Sequence, residues 1–197
     1  MTDTDRNEFF MNEVRKNLGD YRFIHSLGVA KSAVELAERF GADKQKAYTA
    51  GLLHDIMKDK TPDELLDMIE NKYAASLSEV ERSNHKLFHA IAGALYVENE
   101  LGVTDREIIN AIRFHTTGRK NMTLLEKVIY IADYISEDRN YDGVDRMREK
   151  AKISLETAME EGLQFSIIEL SQNLLPIHPD SIDAYNEIIM NKEKNNG

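Results

Sequence analysis

The sequence contains no cysteine. Disulfides and thiolate metal ligands are excluded, so any transition metal must be held by His, Asp and Glu, a donor set that suits iron, manganese or zinc. Proline and glycine are scarce, three and ten in 197 residues. Long uninterrupted elements follow, and because Ala, Leu, Glu, Lys and Met dominate over the β-formers, those elements are helices. No stretch alternates apolar and polar residues long enough for a strand. None approaches the roughly 18 consecutive apolar residues of a membrane span, and the opening MTDTDRNEFF lacks the apolar core of a signal peptide. These absences predict a cytoplasmic protein without a membrane partner. Positive charge is also in deficit: the formal net charge is −10 and the pI about 5.1. Such a chain is a poor nonspecific partner for DNA or RNA. A nucleotide is not excluded, because a bound cation reverses the charge locally.

Helix punctuation orders the rest. After a polar helical segment over residues 1–19, Phe23, Leu27, Ala30, Val34 and Ala37 form an amphipathic stripe that stops at Gly41. A helix over about 43–56 ends in the nine residues Gly51 to Asp59, GLLHDIMKD. Thr61-Pro-Asp-Glu64, Thr104-Asp-Arg-Glu107 and Thr123-Leu-Leu-Glu126 each read as a capping box opening a helix. A long helix is expected over 84–100, a charged one from Val144 to Gly162, another over 163–174, and a last one capped by Asp180 and running to about Met190. No repeat, low-complexity block or linker divides the chain, and its length suits one core. The expected architecture is an all-α single domain over residues 20–190, with a disordered tail at 191–197.

His54 and Asp55 point about 100° apart on a helix, so they do not face outward together as a solvated pair. They can instead serve two metal ions lying side by side, with the carboxylate bridging. Asp133 falls in the most hydrophobic run of the chain, Val-Ile-Tyr-Ile-Ala-Asp-Tyr-Ile. A carboxylate there carries a large desolvation cost unless it is paired or ligates a cation; the alternative is a wet side of that helix shared with Lys127, Tyr130, Tyr134 and Glu137. His25, His54, His89 and His115 supply four imidazoles beside those two carboxylates, a set that suits two ions. His85 and His89 share one helix face at i and i+4, and spacing alone does not choose between them.

The order H…HD…H…H…D resembles the HD-domain phosphohydrolase superfamily. The fuller pattern is similar to one branch, the YqeK-like symmetrical bis(5′-nucleosyl)-tetraphosphatases. Arg22-Phe-Ile-His25, Leu52-Leu-His-Asp-Ile-Met-Lys58 and His89-Ala-Ile-Ala-Gly-Ala94 carry the resemblance. So do Ala111-Ile-Arg-Phe-His-Thr-Thr-Gly-Arg119, Met122-Thr-Leu-Leu-Glu-Lys127, Ile131-Ala-Asp-Tyr134 and Ile177-His-Pro179 with Ala184-Tyr-Asn186. One departure is Ala90, where the branch often has glycine. The resemblance implies an HD-type helical bundle holding two metal ions, iron first, with manganese or another divalent ion as the alternative. The implied ligands are His25, His54, Asp55, His89, His115 and Asp133, with Asp55 bridging, which favours His89 over His85. It also implies symmetrical hydrolysis of diadenosine tetraphosphate (Ap4A) to two ADP by a metal-activated bridging water. Asp55, Lys58 and Arg119 are the implied catalytic groups. The implied substrate contacts are Gly28, Lys58, His115, Thr116, Thr117, Gly118 and Arg119, together with Arg139 and the loop Ile177, His178 and Pro179. Partners are then a dinucleoside polyphosphate or nucleotide and, as one assembly state, a second copy in a homodimer. Two other readings stand beside this one: an HD phosphohydrolase of mononucleotides or an alarmone-type nucleotide, and a non-enzymatic nucleotide-sensing module.

Overall fold

Eleven α-helices run through the computed structural model, which describes residues 3–196, and no strand occurs among those residues. They are α1 (Asp3–Asn17), α2 (Asp20–Phe40), α3 (Lys44–Leu53), α4 (Pro62–Asp67), α5 (Glu79–Ser83), α6 (Phe88–Asn99), α7 (Arg106–Arg113), α8 (Leu124–Ile135), α9 (Val144–Ile153), α10 (Leu155–Gln172) and α11 (Pro179–Asn196). A π-helical turn, Met68–Lys72, extends α4, and a 3-10 turn, His85–Leu87, leads into α6. The all-α expectation holds. No helix among the described residues is long and apolar enough to cross a membrane.

The core is organised around α8, which packs against α2, α3, α7, α9 and α10. Leu125, Val128, Ile129, Ile131 and Ala132 are buried on it, and Tyr130, assigned above to a wet side, is fully buried. Helices α2 and α3 approach closely because their shared face is made of small residues: Ala30, Ala33, Ala37, Ala47, Ala50 and Gly51 are all buried. Helix α2 ends where glycine permits it. Gly41 adopts the left-handed region at φ +81, and its N–H donates to Ala37 O.

Local chemistry accounts for most helix starts. Thr61 and Thr123 form the expected capping boxes, and Ser78 forms a third with Glu81 that opens α5. Each such cap contributes about 0.5–2 kcal/mol. At α7 the expected box does not form. Asp105, not Thr104, is the cap, accepting from Glu107 N. The long helix expected from residue 84 begins at Phe88. The charged helix breaks at Ser154, which caps α10 by accepting from Thr157 N. Gly162 lies inside α10 instead, because a Cβ there would sit 3.1 Å from a Tyr130 ring carbon: it marks a close crossing, not an end. Asp180 lies in the first turn of α11. His178 supplies the preceding acceptors, its Nδ1 for Asp180 N and its carbonyl for Ser181 N. Helix α11 continues past Met190, through most of the expected tail; Gly197 lies outside the described residues.

Candidate metal centre

Apolar anchoring draws the HD pair inside. Helix α3 ends at Leu53, and the chain tightens into turns with Ile56 N donating to Leu53 O and Lys58 N to Asp55 O. Leu52, Leu53, Ile56 and Met57, on both sides of the pair, are fully buried, each contributing about 1.5–3 kcal/mol. His54 and Asp55 are buried with them. His25 comes from the inner face of α2, His89 from the first turn of α6, His115 from the turn after α7 and Asp133 from α8. All but Asp133 are buried, and its side chain is only 18% exposed. His85, the alternative to His89, is exposed.

The six side chains converge. His25 Nε2 lies 3.1 Å from Asp133 Oδ1. His54 Nε2 lies 3.7 Å from Asp55 Oδ2 and 3.9 Å from Asp133 Oδ1. On the other side, Asp55 Oδ1 is 3.1 Å from His89 Nε2 and 3.4 Å from His115 Nε2. Asp55 thus turns one oxygen toward each half of the cluster. Donor atoms of His25, His54 and Asp55, and of Asp55, His89 and His115, each fit within the spread of a single ion site.

Three histidines are oriented from behind. His54 Nδ1 donates to Gly51 O at 2.7 Å, His115 Nδ1 to Ile112 O at 2.8 Å and His25 Nδ1 to Asp138 Oδ2 at 2.8 Å. These bonds assign the tautomer and leave each Nε2 lone pair facing inward. Lone pairs then face carboxylate oxygens across 3.1–3.9 Å, an arrangement that calls for a cation between them. His54 Nε2 and Asp55 Oδ1 are both buried without a hydrogen-bond partner among the described residues. A metal ion fits this donor set.

The electrostatics agree. Burial is the main influence that lowers His54 and His89, each to about 4, keeping both imidazoles neutral and available as ligands. Burial pushes the Asp55 carboxyl up, but His54, His115 and His89 together hold it well below the ordinary carboxylate range. Asp133 is held low in the same way, against burial, by His25, His54 and Arg139.

Of the other expected site residues, Lys58 and Arg139 reach the cluster. Lys58 Nζ is 2.9 Å from His89 Nε2 and 3.6 Å from Asp55 Oδ1. Arg139 bonds Asp133 through its carbonyl and its carboxylate. Thr116 Oγ1 is buried without a partner among the described residues. Thr117 and Gly118 build the turn instead: Thr117 Oγ1 donates to Gly118 O, its carbonyl accepts from Ser181, and Gly118 is left-handed at φ +63. Arg119 is engaged elsewhere, in a two-pronged pair with buried Glu126 and 4.9 Å above the Phe114 ring. His178 caps α11, with Nε2 3.8 Å from Glu81; beside it Ile177 is half-buried and Pro179 exposed. Gly28 leaves room for Asp138, whose Oδ1 would lie 3.4 Å from a Cβ there. Sequence reasoning missed Asp138, which shows no local signal because its partner His25 is 113 residues away. It also missed the role of Arg22, which lies 3.9 Å from Asp55 Oδ2 and is held by Asp59 at 2.7 Å.

The HD domain family model matches residues 22–138, a span that includes all six cluster residues. The symmetrical bis(5′-nucleosyl)-tetraphosphatase of Halalkalibacterium halodurans is 39% identical over 91% of this chain and 95% of its own. That of Bacillus subtilis is 42% identical over 89% and 94%. A crystal structure of a predicted HD superfamily hydrolase involved in NAD metabolism from Clostridium acetobutylicum superposes with a TM-score of 0.89 at 36% identity. That match covers 93% of this chain and 97% of the other.

Proposed function

The chain belongs to the HD-domain family, and from that premise we propose that it is a metal-dependent hydrolase cleaving diadenosine tetraphosphate symmetrically to two ADP. The observation that carries this reading is the placement of Asp55, a buried carboxylate with one oxygen toward His54 and the other toward His89 and His115. His25, His54, Asp55 and Asp133 would hold one ion, and Asp55, His89 and His115 a second. Iron is the first candidate and manganese or another divalent ion the alternative. When bound, such a pair supplies Lewis-acid polarisation of phosphoryl oxygens and a water of lowered pKa.

The chain's own residues do the rest. Lys58, Arg139 and Arg22 set three cationic side chains around the acidic pair, which offsets the repulsion a polyphosphate meets in a protein of net charge −10. Asp138, Gly51 and Ile112 fix three imidazoles, so the donors need no reorientation at the moment of reaction. Burial of five of the six residues excludes bulk water and strengthens each of these interactions.

Product analysis tests the proposal. Protein purified without chelators, with its metal content measured, is incubated with diadenosine tetraphosphate and, in parallel, with dGTP, dAMP and ppGpp. ADP as the sole product from the first substrate is expected. AMP with ATP, or faster turnover of a mononucleotide or of ppGpp, would overturn the assignment.

A further inference from the structure

Beside the candidate metal centre opens a cavity of about 300 Å³. His115 and Asp133 are among its lining residues, so it adjoins the cluster. Three aromatic residues, Tyr134, Tyr141 and Phe165, also line it. The Tyr141 and Phe165 rings lie 5.4 Å apart at 38°, and Tyr134 stands edge-on to both at 6.4 Å. Arg139, Thr116 and Glu169 complete the lining.

Three features distinguish this wall from ordinary core. Phe165 is 40% exposed, so an apolar ring faces solvent next to a charged centre. Tyr141 is held in place, its hydroxyl donating to Tyr134 O at 3.1 Å, so the platform is ordered in advance. Thr116 Oγ1, buried without a partner among the described residues, is a polar group available to a ligand. A volume near the lower end of small-molecule sites, an aromatic face and a few converging polar groups suit one nucleoside.

We propose that the Tyr141–Phe165 platform stacks the base of one nucleoside end of the substrate, with Arg139 meeting the adjoining phosphate or ribose and Thr116 hydrogen-bonding it. One cavity then holds groups for successive parts of a dinucleoside polyphosphate: His115 and Asp133 beside the reacting phosphates, Arg139 for the adjoining phosphate or ribose, and the aromatic pair for the base. Glu169, which lines the same cavity, offers an acceptor for an exocyclic amine, which favours an amine-bearing base. The inference rests on the dinucleotide reading above. It moves base recognition for this end away from His178, which already bonds Asp180 N.

The test exploits the absence of tryptophan from the chain. Phe165→Trp keeps an aromatic face and installs a single tryptophan, which is excited selectively over the eight tyrosines at the red edge of their absorption. Its emission is expected to be quenched by ADP and left unchanged by inorganic tripolyphosphate, which has no base. Phe165→Ala and Tyr141→Ala are expected to raise KM for diadenosine tetraphosphate about tenfold, equivalent to about 1.4 kcal/mol, with kcat within twofold. Both should weaken ADP without weakening tripolyphosphate, measured calorimetrically, and Phe165→Trp should restore the wild-type KM. KM unchanged within twofold in both alanine variants, or equal weakening of ADP and tripolyphosphate, overturns the platform. If the wild-type protein makes no ADP from the dinucleotide, the proposed function fails alone. Fluorescence and calorimetry with ADP still decide for or against the platform in that case.

Discussion

Replacing Gly51 by alanine sets two effects of opposite sign against each other. Gly51 lies inside α3, outside the set of glycines with positive φ. On helix propensity alone, alanine would stabilise by about 0.8–1 kcal/mol. The added Cβ, however, would stand 2.9 Å from Ala30 Cα, 3.1 Å from Ala30 N and 3.2 Å from Val29 O. All three atoms are α2 backbone, so no side chain can rotate away and the two helices must part. Overpacking of this kind costs about 1–3 kcal/mol, and backbone contact places it at the upper end. The net is about 2 kcal/mol of destabilisation, or a fall in Tm of about 4–8 °C for a chain of this size. The displacement also bears on the site, since α2 carries His25, His54 follows α3, and Gly51 O accepts from His54 Nδ1. Thermal denaturation followed by circular dichroism, with metal content measured in parallel, checks both effects. Gly93→Ala is the control: its nearest neighbour would be 3.7 Å away, an ordinary contact, so its Tm should hold or rise. A Gly51→Ala protein as stable as wild type would refute the argument from the α2–α3 crossing.

Asp55→Ala is expected to abolish metal binding and hydrolysis while leaving helix content largely intact; turnover at the wild-type rate in that variant would sink the proposed mechanism. Asp138→Ala frees His25 to rotate, and metal affinity should fall about ten- to a hundredfold with an unchanged circular dichroism spectrum, as a competitive chelator titration would reveal. Metal-free protein should lose stability as pH falls from 6.5 toward 4. His54 and His89 stay neutral in the fold to about 4 while the unfolded chain takes up protons near 6.5, so folding is penalised across that window by up to about 3 kcal/mol per histidine. His25, raised chiefly by Asp133 against the opposing effect of burial, contributes with the opposite sign, and the two depressed carboxylates act mainly below the window. A Tm in urea that is flat or rising between pH 6.5 and 4.5 would contradict this balance.

Helix starts were readable where a side chain caps within three residues of itself, as at Thr61 and Thr123. Helix limits are not legible where two local acceptors compete, as with Thr104 and Asp105, or where a glycine serves a distant neighbour, as Gly162 serves Tyr130. The His and Asp residues announced a metal site by their types, and resemblance to a family supplied the set. Spacing alone left His85 and His89 equivalent, and burial separates them: one is on the surface, the other 3.1 Å from Asp55.

The amino-acid sequence by itself narrowed the donor chemistry, because a chain without cysteine offers a metal no thiolate, and it determined the helical class through its composition and caps. Tertiary structure alone decided which groups meet. Asp138 is brought behind His25 from 113 residues away, and Tyr141 and Phe165 form one wall from separate segments. Neither of these pairings has a local signal. Each depends on the crossing of helices, which is set by which faces pack and how closely, and not by any residue's immediate neighbours.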